Sequence, residues 1–274
     1  MNASQPAYVL GSGDPEITRL DAQSASIDAA TRLLLRAAGI APGMRVLDLG
    51  TGLGHVARLL YELVGPQGRV TGIDNDAHML EVAAARQQPA TPALRYILGD
   101  VRRWRDAEPL DAVVGRLILF HLPNAAAVLA HHAAALRPGG LMVMLDFDLG
   151  SARAEPAVPL AEEAMRWVLA AFRQAGARPA IGTRLSLLLH EAGLEDVRSF
   201  GVQGYLAPHD PAGPALLAGV VRTLLPKIIA AGIATREQVD IETLAPRLVA
   251  ALRTAGAMFL PPALAGAWGR RAAV

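Results

Sequence analysis

The chain contains no cysteine among its 274 residues. Disulfide bonds, thiolate metal sites and a cysteine nucleophile are therefore excluded. Residues 1–12 lack a basic segment followed by an apolar stretch, which is the pattern of a secretory signal. No uninterrupted apolar run approaches the roughly 20 residues that span a bilayer. From these absences we expect a cytoplasmic protein with no membrane partner.

The sequence also has almost no excess of charge, because 26 Lys and Arg residues are balanced by 25 Asp and Glu residues. A strongly basic surface that would favour nucleic acid as a partner is therefore not expected. The run at residues 102–105 combines arginines with Trp104 and is open to a nucleic-acid interpretation, but a solvated loop with one packed aromatic is favoured. With 52% hydrophobic residues, the chain can bury a large core.

Short apolar runs alternate with helical patterns over the first half of the chain. A helix is expected at 14–38, interrupted near Ser24, and residues 137–140 predict a turn. Strands are predicted at 45–50, 69–74, 94–98, 111–117 and 141–147, and helices at 55–64, 76–87 and 124–136. This alternation predicts the α/β class with a doubly wound, mostly parallel sheet.

The pattern is less regular after residue 148. Helices are expected at 156–175, 183–192 and within 211–255, and strands at 197–204 and 258–268. Thr235 and Gln238 have the spacing of a capping box, and Pro246 is expected to open a later helix. We divide the chain into an N-terminal arm with lid helices (1–40), a core (41–150) and the remainder of the sheet with helical cap insertions (151–274), all in one integrated domain.

A glycine-rich segment follows the first predicted strand. Gly50, Gly52 and Gly54 lie at the carboxyl edge of the sheet, where doubly wound folds bind ligands. Missing Cβ atoms allow a ligand close to the backbone, and the next helix offers unpaired N–H groups. A dinucleotide site favours a further glycine at the position of His55, which weakens that interpretation. A plain structural turn is the alternative.

Two carboxylates at neighbouring strand ends narrow the choice of ligand. Asp48, beside the glycine segment, suits a ligand that carries an amino cation and would repel a pyrophosphate. Asp74 ends the second strand, where a carboxylate can accept hydrogen bonds from both hydroxyls of a ribose. For Asp74 the alternative is a capping role at the helix that begins near Asp76.

Four short motifs occupy residues 46–57, 70–75, 99–101 and 136–140. In their sequences and their order they resemble the motifs of the class I S-adenosylmethionine (SAM)-dependent methyltransferases. Residues 8–11, 115–117, 121–123 and 266–270 also resemble a subgroup that includes many small-molecule methyltransferases. The resemblance covers about residues 30–148. It implies a Rossmann-like, seven-stranded sheet with helical cap elements, SAM as the cofactor and methyl transfer as the activity.

The resemblance also implies roles for single positions. Asp48 and the glycine segment would surround the methionine part of SAM, and Asp74 would hold the ribose. Asp100 would accept a hydrogen bond from the adenine amino group, Val101 would donate its backbone N–H to the ring, and Met79 would lie under it. A solvated turn residue is the alternative for Asp100. The expected cofactor positions are Asp48, Gly50, Thr51, Gly52, Gly54, Asp74, Asn75, Met79, Asp100, Val101 and Arg116, the last through its backbone.

His121 follows the fourth strand and is the candidate catalytic base, because an ordinary pKa of about 6.5 suits proton transfer. A role in shaping the turn is the alternative, and Asp146 or Asp148 is a weaker candidate. Tyr8 and Phe147 are expected at the substrate or in a lid.

No metal site is expected. His131 and His132 are adjacent on a helix and would point to different faces, so they would not share an ion.

The expected function is methyl transfer from SAM to a small, apolar metabolite, by in-line attack of the acceptor on the methyl group. Whether oxygen, nitrogen or carbon accepts the methyl group stays open, and a homodimer is one expected assembly. The alternatives are a SAM-binding enzyme with other chemistry, an RNA or protein methyltransferase, a non-catalytic binding module and a nicotinamide dehydrogenase.

Overall fold

The computed structural model describes residues 13–87 and 93–273. The helices are α1 (Asp14–Ala38), α2 (His55–Val64), α3 (Ala77–Ala85), α4 (Ala125–Ala133), α5 (Pro159–Gln174), α6 (Leu185–Glu191), α7 (Ala212–Ala230), α8 (Arg236–Val239) and α9 (Ile241–Ala255). The strands are β1 (Arg45–Leu49), β2 (Arg69–Asp74), β3 (Leu94–Leu98), β4 (Leu110–Arg116), β5 (Leu136–Asp148), β6 (Arg153–Glu155), β7 (Glu195–Val202), β8 (Met258–Leu260) and β9 (Ala263–Arg270).

Seven of these strands form one sheet in the order β3-β2-β1-β4-β5-β9-β7. The pairs β1–β2, β1–β4, β2–β3 and β4–β5 are parallel. Strand order reverses between β1 and β4, and ligands of doubly wound sheets bind outside the carboxyl ends of the strands at such a point. The predicted α/β class and the doubly wound, mostly parallel, seven-stranded sheet are confirmed.

The chain divides into two compact units. The core unit comprises the described residues within 24–146, 181–201 and 265–273, and the helical unit comprises the described residues up to 23 together with 147–180 and 202–264. In the core unit the central strands are buried on both faces, as a parallel sheet covered by helices requires. Val46 and Leu47 of β1 and Val113 and Val114 of β4 are fully buried.

The helical unit is built on α5, α7 and α9, with β6 and β8 paired as a short antiparallel ribbon. Among the described residues, α7 alone is long and apolar enough by composition to cross a membrane. Its residues Leu217, Val221, Leu224 and Ile228 recur every three or four positions and are buried, and α7 packs against α5 and α9. This is the pattern of a helix that packs one face against its neighbours.

Two predictions in the first half of the chain are wrong. Helix α1 continues through Ser24, because the Ser24 hydroxyl donates to the Asp28 carboxylate 2.8 Å away within the same helix. Residues 137–140 form an irregular start of β5, and the pairing steps from Leu110–Leu136 to Ala112–Leu141. The surplus residues of β5 at this step form a bulge in the strand.

Two predictions in the second half are also wrong. Residues 258–268 form two strands, because Pro261 and Pro262 have no N–H to donate to a sheet. Pro246 lies inside α9, which begins at Ile241 after Asp240 adopts a left-handed φ of 40°. The predicted capping box of Thr235 is confirmed and opens α8.

Candidate cofactor site

The glycine segment after β1 is a tight loop in which all three glycines have positive φ, namely 66° at Gly50, 49° at Gly52 and 72° at Gly54. A Cβ on Gly54 would lie 2.3 Å from the Tyr96 hydroxyl, so this position has no room for a side chain. A Cβ on Gly52 would meet nothing within 4 Å. Gly52 therefore presents bare backbone to open space, as a ligand that approaches the main chain requires.

Asp48 lies beneath this loop, near the end of β1. Its side chain is only 1% exposed, and one carboxyl oxygen accepts a hydrogen bond from the Thr51 hydroxyl at 2.7 Å. Burial raises the pKa of Asp48 to about 7, against the opposing effects of the Thr51 hydrogen bond and the positive charge of Arg116. The Thr51 hydroxyl is a stronger hydrogen-bond donor to this carboxyl group than a thiol would be.

Asp74 connects the end of β2 to the glycine loop. One carboxyl oxygen accepts from the Gly52 N–H at 2.8 Å, and the other accepts from the Asp76 N–H at 3.0 Å. Burial raises the pKa of Asp74, and these backbone N–H groups counteract the rise. Since each carboxylate oxygen has two lone pairs, the group retains the capacity to accept from a ribose. The cofactor role and the structural role predicted as alternatives are thus compatible.

Helix α3 begins beside Asp74. The Asp76 side chain caps it by accepting from the Met79 N–H at 3.2 Å. Asn75 is exposed at the tip of the strand, whereas the Met79 side chain is buried. Asn75 therefore lies at the strand end where the resemblance places it, and Met79 provides an apolar surface in the first turn of α3.

Asp100 lies just after β3, the strand next to β2. The Arg102 guanidinium donates to both of its carboxylate oxygens, at distances of 2.8 to 3.0 Å. The hydrogen bonds from Arg102 lower the pKa of Asp100, so the carboxylate stays ionised. Arg102 was expected on a solvated face, and its ion pair with Asp100 was not predicted. Opposite charges two residues apart directly after a strand were the available signal.

Arg116, at the end of β4, makes hydrogen bonds through its side chain, whereas only its backbone was expected to have a role. The guanidinium donates to Asp28 and Thr31 at 2.9 Å each and to Ser24 at 2.7 Å. These three residues of α1 lie at positions i, i+4 and i+7, which share one helix face. This polar stripe indicates a polar partner for the helix face, although it does not identify Arg116 as that partner. Arg116 therefore fixes this part of α1 to the end of β4.

The expected catalytic positions follow β4 and β5. His121 is half-buried in a short 3-10 turn, and its ring meets that of Phe120 edge-on with 4.8 Å between the ring centres. The buried Asp146 carboxylate accepts from the Phe120 N–H at 3.2 Å, which fixes this turn. Asp148 accepts from the Gly150 N–H at 3.1 Å in a turn of the helical unit. Both carboxylates thus have structural roles, and His121 stays the candidate base.

Two other predicted positions are less informative. Phe147 is half-buried near the end of β5, and Tyr8 lies outside the described residues.

The sequence predicted that the two histidines of α4 would point to different faces, and this prediction is wrong. Each ring reaches a carbonyl of the same turn, His131 that of Trp104 and His132 that of Val101. Their ring centres are 5.0 Å apart. Over the part of the chain that the structure describes, no group of three His, Asp or Glu side chains is arranged to hold a metal ion.

This strand order, with a glycine loop after β1 and carboxylates at the end of β2 and after β3, is the arrangement that the resemblance to the class I methyltransferases implies. Residues 46–140 match the family described as a methyltransferase domain. The resemblance drawn from the sequence is therefore confirmed over this part of the chain.

Curated relatives are similar in sequence to part of the chain. The trans-aconitate 2-methyltransferase of Azoarcus sp. (strain BH72) is 36% identical over 115 residues, which cover 42% of this chain and 44% of that protein. The trans-aconitate 2-methyltransferase of Streptomyces avermitilis is 37% identical over 100 residues, covering 36% of this chain and 37% of that protein. The chain thus matches less than half the length of these relatives.

Solved structures resemble a larger part of the chain. Phosphoethanolamine N-methyltransferase 2 of Haemonchus contortus, solved with phosphomonomethylethanolamine and S-adenosylhomocysteine, has a TM-score of 0.54 at 18% identity over 89% of this chain and 52% of that chain. The YcgJ protein of Bacillus subtilis has a TM-score of 0.56 at 16% identity over 87% of this chain and 97% of that chain. At these identities the likeness establishes the fold.

Proposed function

We propose that this protein is a SAM-dependent methyltransferase that acts on a small metabolite. The observation that carries the proposal is the edge of the sheet at the ends of β1, β2 and β3. There the bare backbone of Gly52 adjoins Asp74, and Asp100 follows on the neighbouring strand. This order of donors and acceptors matches the parts of an adenosyl cofactor from its amino acid to its base.

The chemistry of the groups present fits SAM better than a dinucleotide. The edge offers acceptors rather than a set of free N–H groups, since Asp74 already binds the Gly52 N–H. A pyrophosphate here would lie close to Asp48 and Asp74 and be repelled by both. The cationic amino and sulfonium groups of SAM are attracted by the same carboxylates, and ribose hydroxyls and an adenine amino group donate to carboxylates.

When bound, SAM supplies a methyl group already activated by its positive sulfur. The chain then has to orient the acceptor, exclude water and, for an oxygen or nitrogen acceptor, hold the departing proton. We propose His121 for the last role, because an imidazole can act as a general base and this one follows β4, the strand that pairs with β1 before the glycine loop. The turn that carries it is fixed by the hydrogen bond from Phe120 to Asp146.

A small metabolite is favoured over a macromolecule as substrate. The net charge of +1 provides no overall attraction for a nucleic acid. Relatives named for trans-aconitate support a metabolite substrate, but their likeness covers less than half of this chain. The acceptor therefore has to be found by assay.

The test is incubation with SAM and a panel that contains trans-aconitate and apolar acids, alcohols and amines, with mass spectrometry of S-adenosylhomocysteine and of the methylated product. We expect both to form together with one substrate class. His121→Asn should lower kcat and leave the affinity for S-adenosylhomocysteine unchanged. Consumption of SAM without a methylated product, or methylation only of added RNA or protein, would contradict the proposal.

A further inference from the structure

The turn after β3 is fixed through its backbone by helix α4. Within the turn, the Asp100 carbonyl accepts from the N–H groups of Arg103 and Trp104 at 3.0 and 2.9 Å. From α4, Nε2 of His132 lies 2.7 Å from the Val101 carbonyl oxygen, and Nε2 of His131 lies 2.9 Å from that of Trp104. Two neighbouring side chains of one helix thus reach two carbonyls of one turn.

The partners determine that Nε2 carries a hydrogen in both rings. A carbonyl oxygen can only accept, so Nε2 of each histidine carries the hydrogen. Nδ1 of His131 then accepts from Arg105 at 3.5 Å. Nδ1 of His132 is buried and has no hydrogen-bond partner within the described part of the chain. Burial lowers the pKa of His132 to about 4, which keeps this ring neutral.

His132 is costly to bury, since the side chain is 0% exposed and one ring nitrogen is left without a bond. An unsatisfied buried nitrogen opposes folding, and an apolar side chain would avoid that cost. What His132 contributes is a donor for the carbonyl of Val101. The peptide group before Val101 is held because its Asp100 carbonyl accepts from Arg103 and Trp104. The peptide group after Val101 is held because its Val101 carbonyl accepts from His132. The orientation of Val101 is thereby fixed on both sides.

We infer that His132, supported by His131, is a positioning residue that orients the turn after β3 for recognition of the adenine base. This inference rests on the proposed function and on the roles that the resemblance implies for Asp100 and the Val101 N–H at the edge of the adenine. Hydrogen bonds to a base edge discriminate only when their donor and acceptor are held in place. Helix α4 therefore contributes to base selectivity without touching the cofactor.

The test compares two amide variants that differ in reach. Gln places its side-chain N–H near the position of Nε2, so His132→Gln should retain the bond to Val101, whereas the shorter side chain of His132→Asn should lose it. Val128→Ala is the control, because it removes buried volume from the same helix and leaves the hydrogen bond intact. The measurement is the dissociation constant, by isothermal titration calorimetry, of S-adenosylhomocysteine and of S-inosylhomocysteine, whose base reverses the hydrogen-bonding edge.

We expect the preference of the unmodified protein for the adenine ligand to fall about fivefold in His132→Asn, the effect of losing one well-placed hydrogen bond. The preference should stay within about twofold in His132→Gln and Val128→Ala. Equal preferences in the Asn and Gln variants, or an equal loss in Val128→Ala, would overturn the inference while the proposed function stands. Failure of the unmodified protein to bind S-adenosylhomocysteine would overturn both.

Discussion

Replacing Asp48 by Asn should stabilise the ligand-free protein at high pH while impairing the site. The carboxyl group is buried, and its pKa in the folded protein is about 7. In the unfolded chain the pKa is about 3.9. Between these values the folded state holds a proton that the unfolded state has released, so the free energy of unfolding falls as pH rises through this window and is constant above it. Asn is neutral throughout and lacks this dependence.

The magnitude follows from the width of that window. Each pH unit between the two pKa values changes the free energy of unfolding by about 1.4 kcal/mol. From pH 5 to pH 8 the unmodified protein should therefore lose about 3 kcal/mol relative to Asp48→Asn, mostly below pH 7. Urea unfolding followed by circular dichroism at pH 5, 6, 7 and 8 measures this difference. Both proteins contain the other titrating groups, so the contributions of those groups cancel in the difference between the two free energies of unfolding.

Asp111→Asn is the matched control. Partial burial acts to raise the pKa of Asp111, but hydrogen bonds from the backbone N–H of Arg45 and the side chain of Arg137 lower it on balance. The contribution of Asp111 to the free energy of unfolding should therefore not change between pH 5 and pH 8. A constant stability difference between Asp48→Asn and the unmodified protein over the same range would refute the reasoning, because Asp48 would then be ionised throughout. The variant should also bind S-adenosylhomocysteine about tenfold more weakly at pH 8, where the unmodified carboxyl is charged.

Further predictions concern the neighbours of this carboxyl. Thr51→Val removes the hydroxyl that favours ionised Asp48, so the pH at which S-adenosylhomocysteine affinity reaches half its maximum should rise, while Thr51→Ser should leave it unchanged. Gly52→Ala and Gly256→Ala should each cost about 1 kcal/mol in urea unfolding, because both positions have a left-handed φ (49° and 59°) and an added Cβ would meet nothing within 4 Å, but only Gly52→Ala should weaken binding in calorimetry, by about tenfold. Equal affinities in the two alanine variants would contradict a ligand above Gly52. Arg116→Met should speed amide hydrogen exchange in the second half of α1 and raise the pKa of Asp48, and unchanged exchange there would count against the guanidinium as its anchor.

The elements around the site were predictable because local signals agree with the fold. The buried runs that form β1 and β4, the glycine loop and the capping side chain of Asp76 all act within a few residues of each other. Parallel strands then bring Asp74 and Asp100 to one edge without further information. The positions of these residues therefore follow from alternation and strand order.

The partners of these groups were not predictable in the same way, because they depend on tertiary contacts. Arg116 meets Asp28 across 88 residues of sequence, and His132 meets Val101 across 31. No local pattern identifies such a pair. The break at Pro261 is a different case, since a proline without an N–H was visible in the sequence and should have divided the last predicted strand.

The central claim is that the edge formed by the glycine loop, Asp74 and Asp100 binds an adenosyl cofactor. Isothermal titration calorimetry of the unmodified protein with S-adenosylhomocysteine and, separately, with NAD tests it most directly. We expect one site per chain for S-adenosylhomocysteine with a dissociation constant in the micromolar range or below, and no measurable heat with NAD. Binding of NAD in the absence of binding to S-adenosylhomocysteine would contradict it.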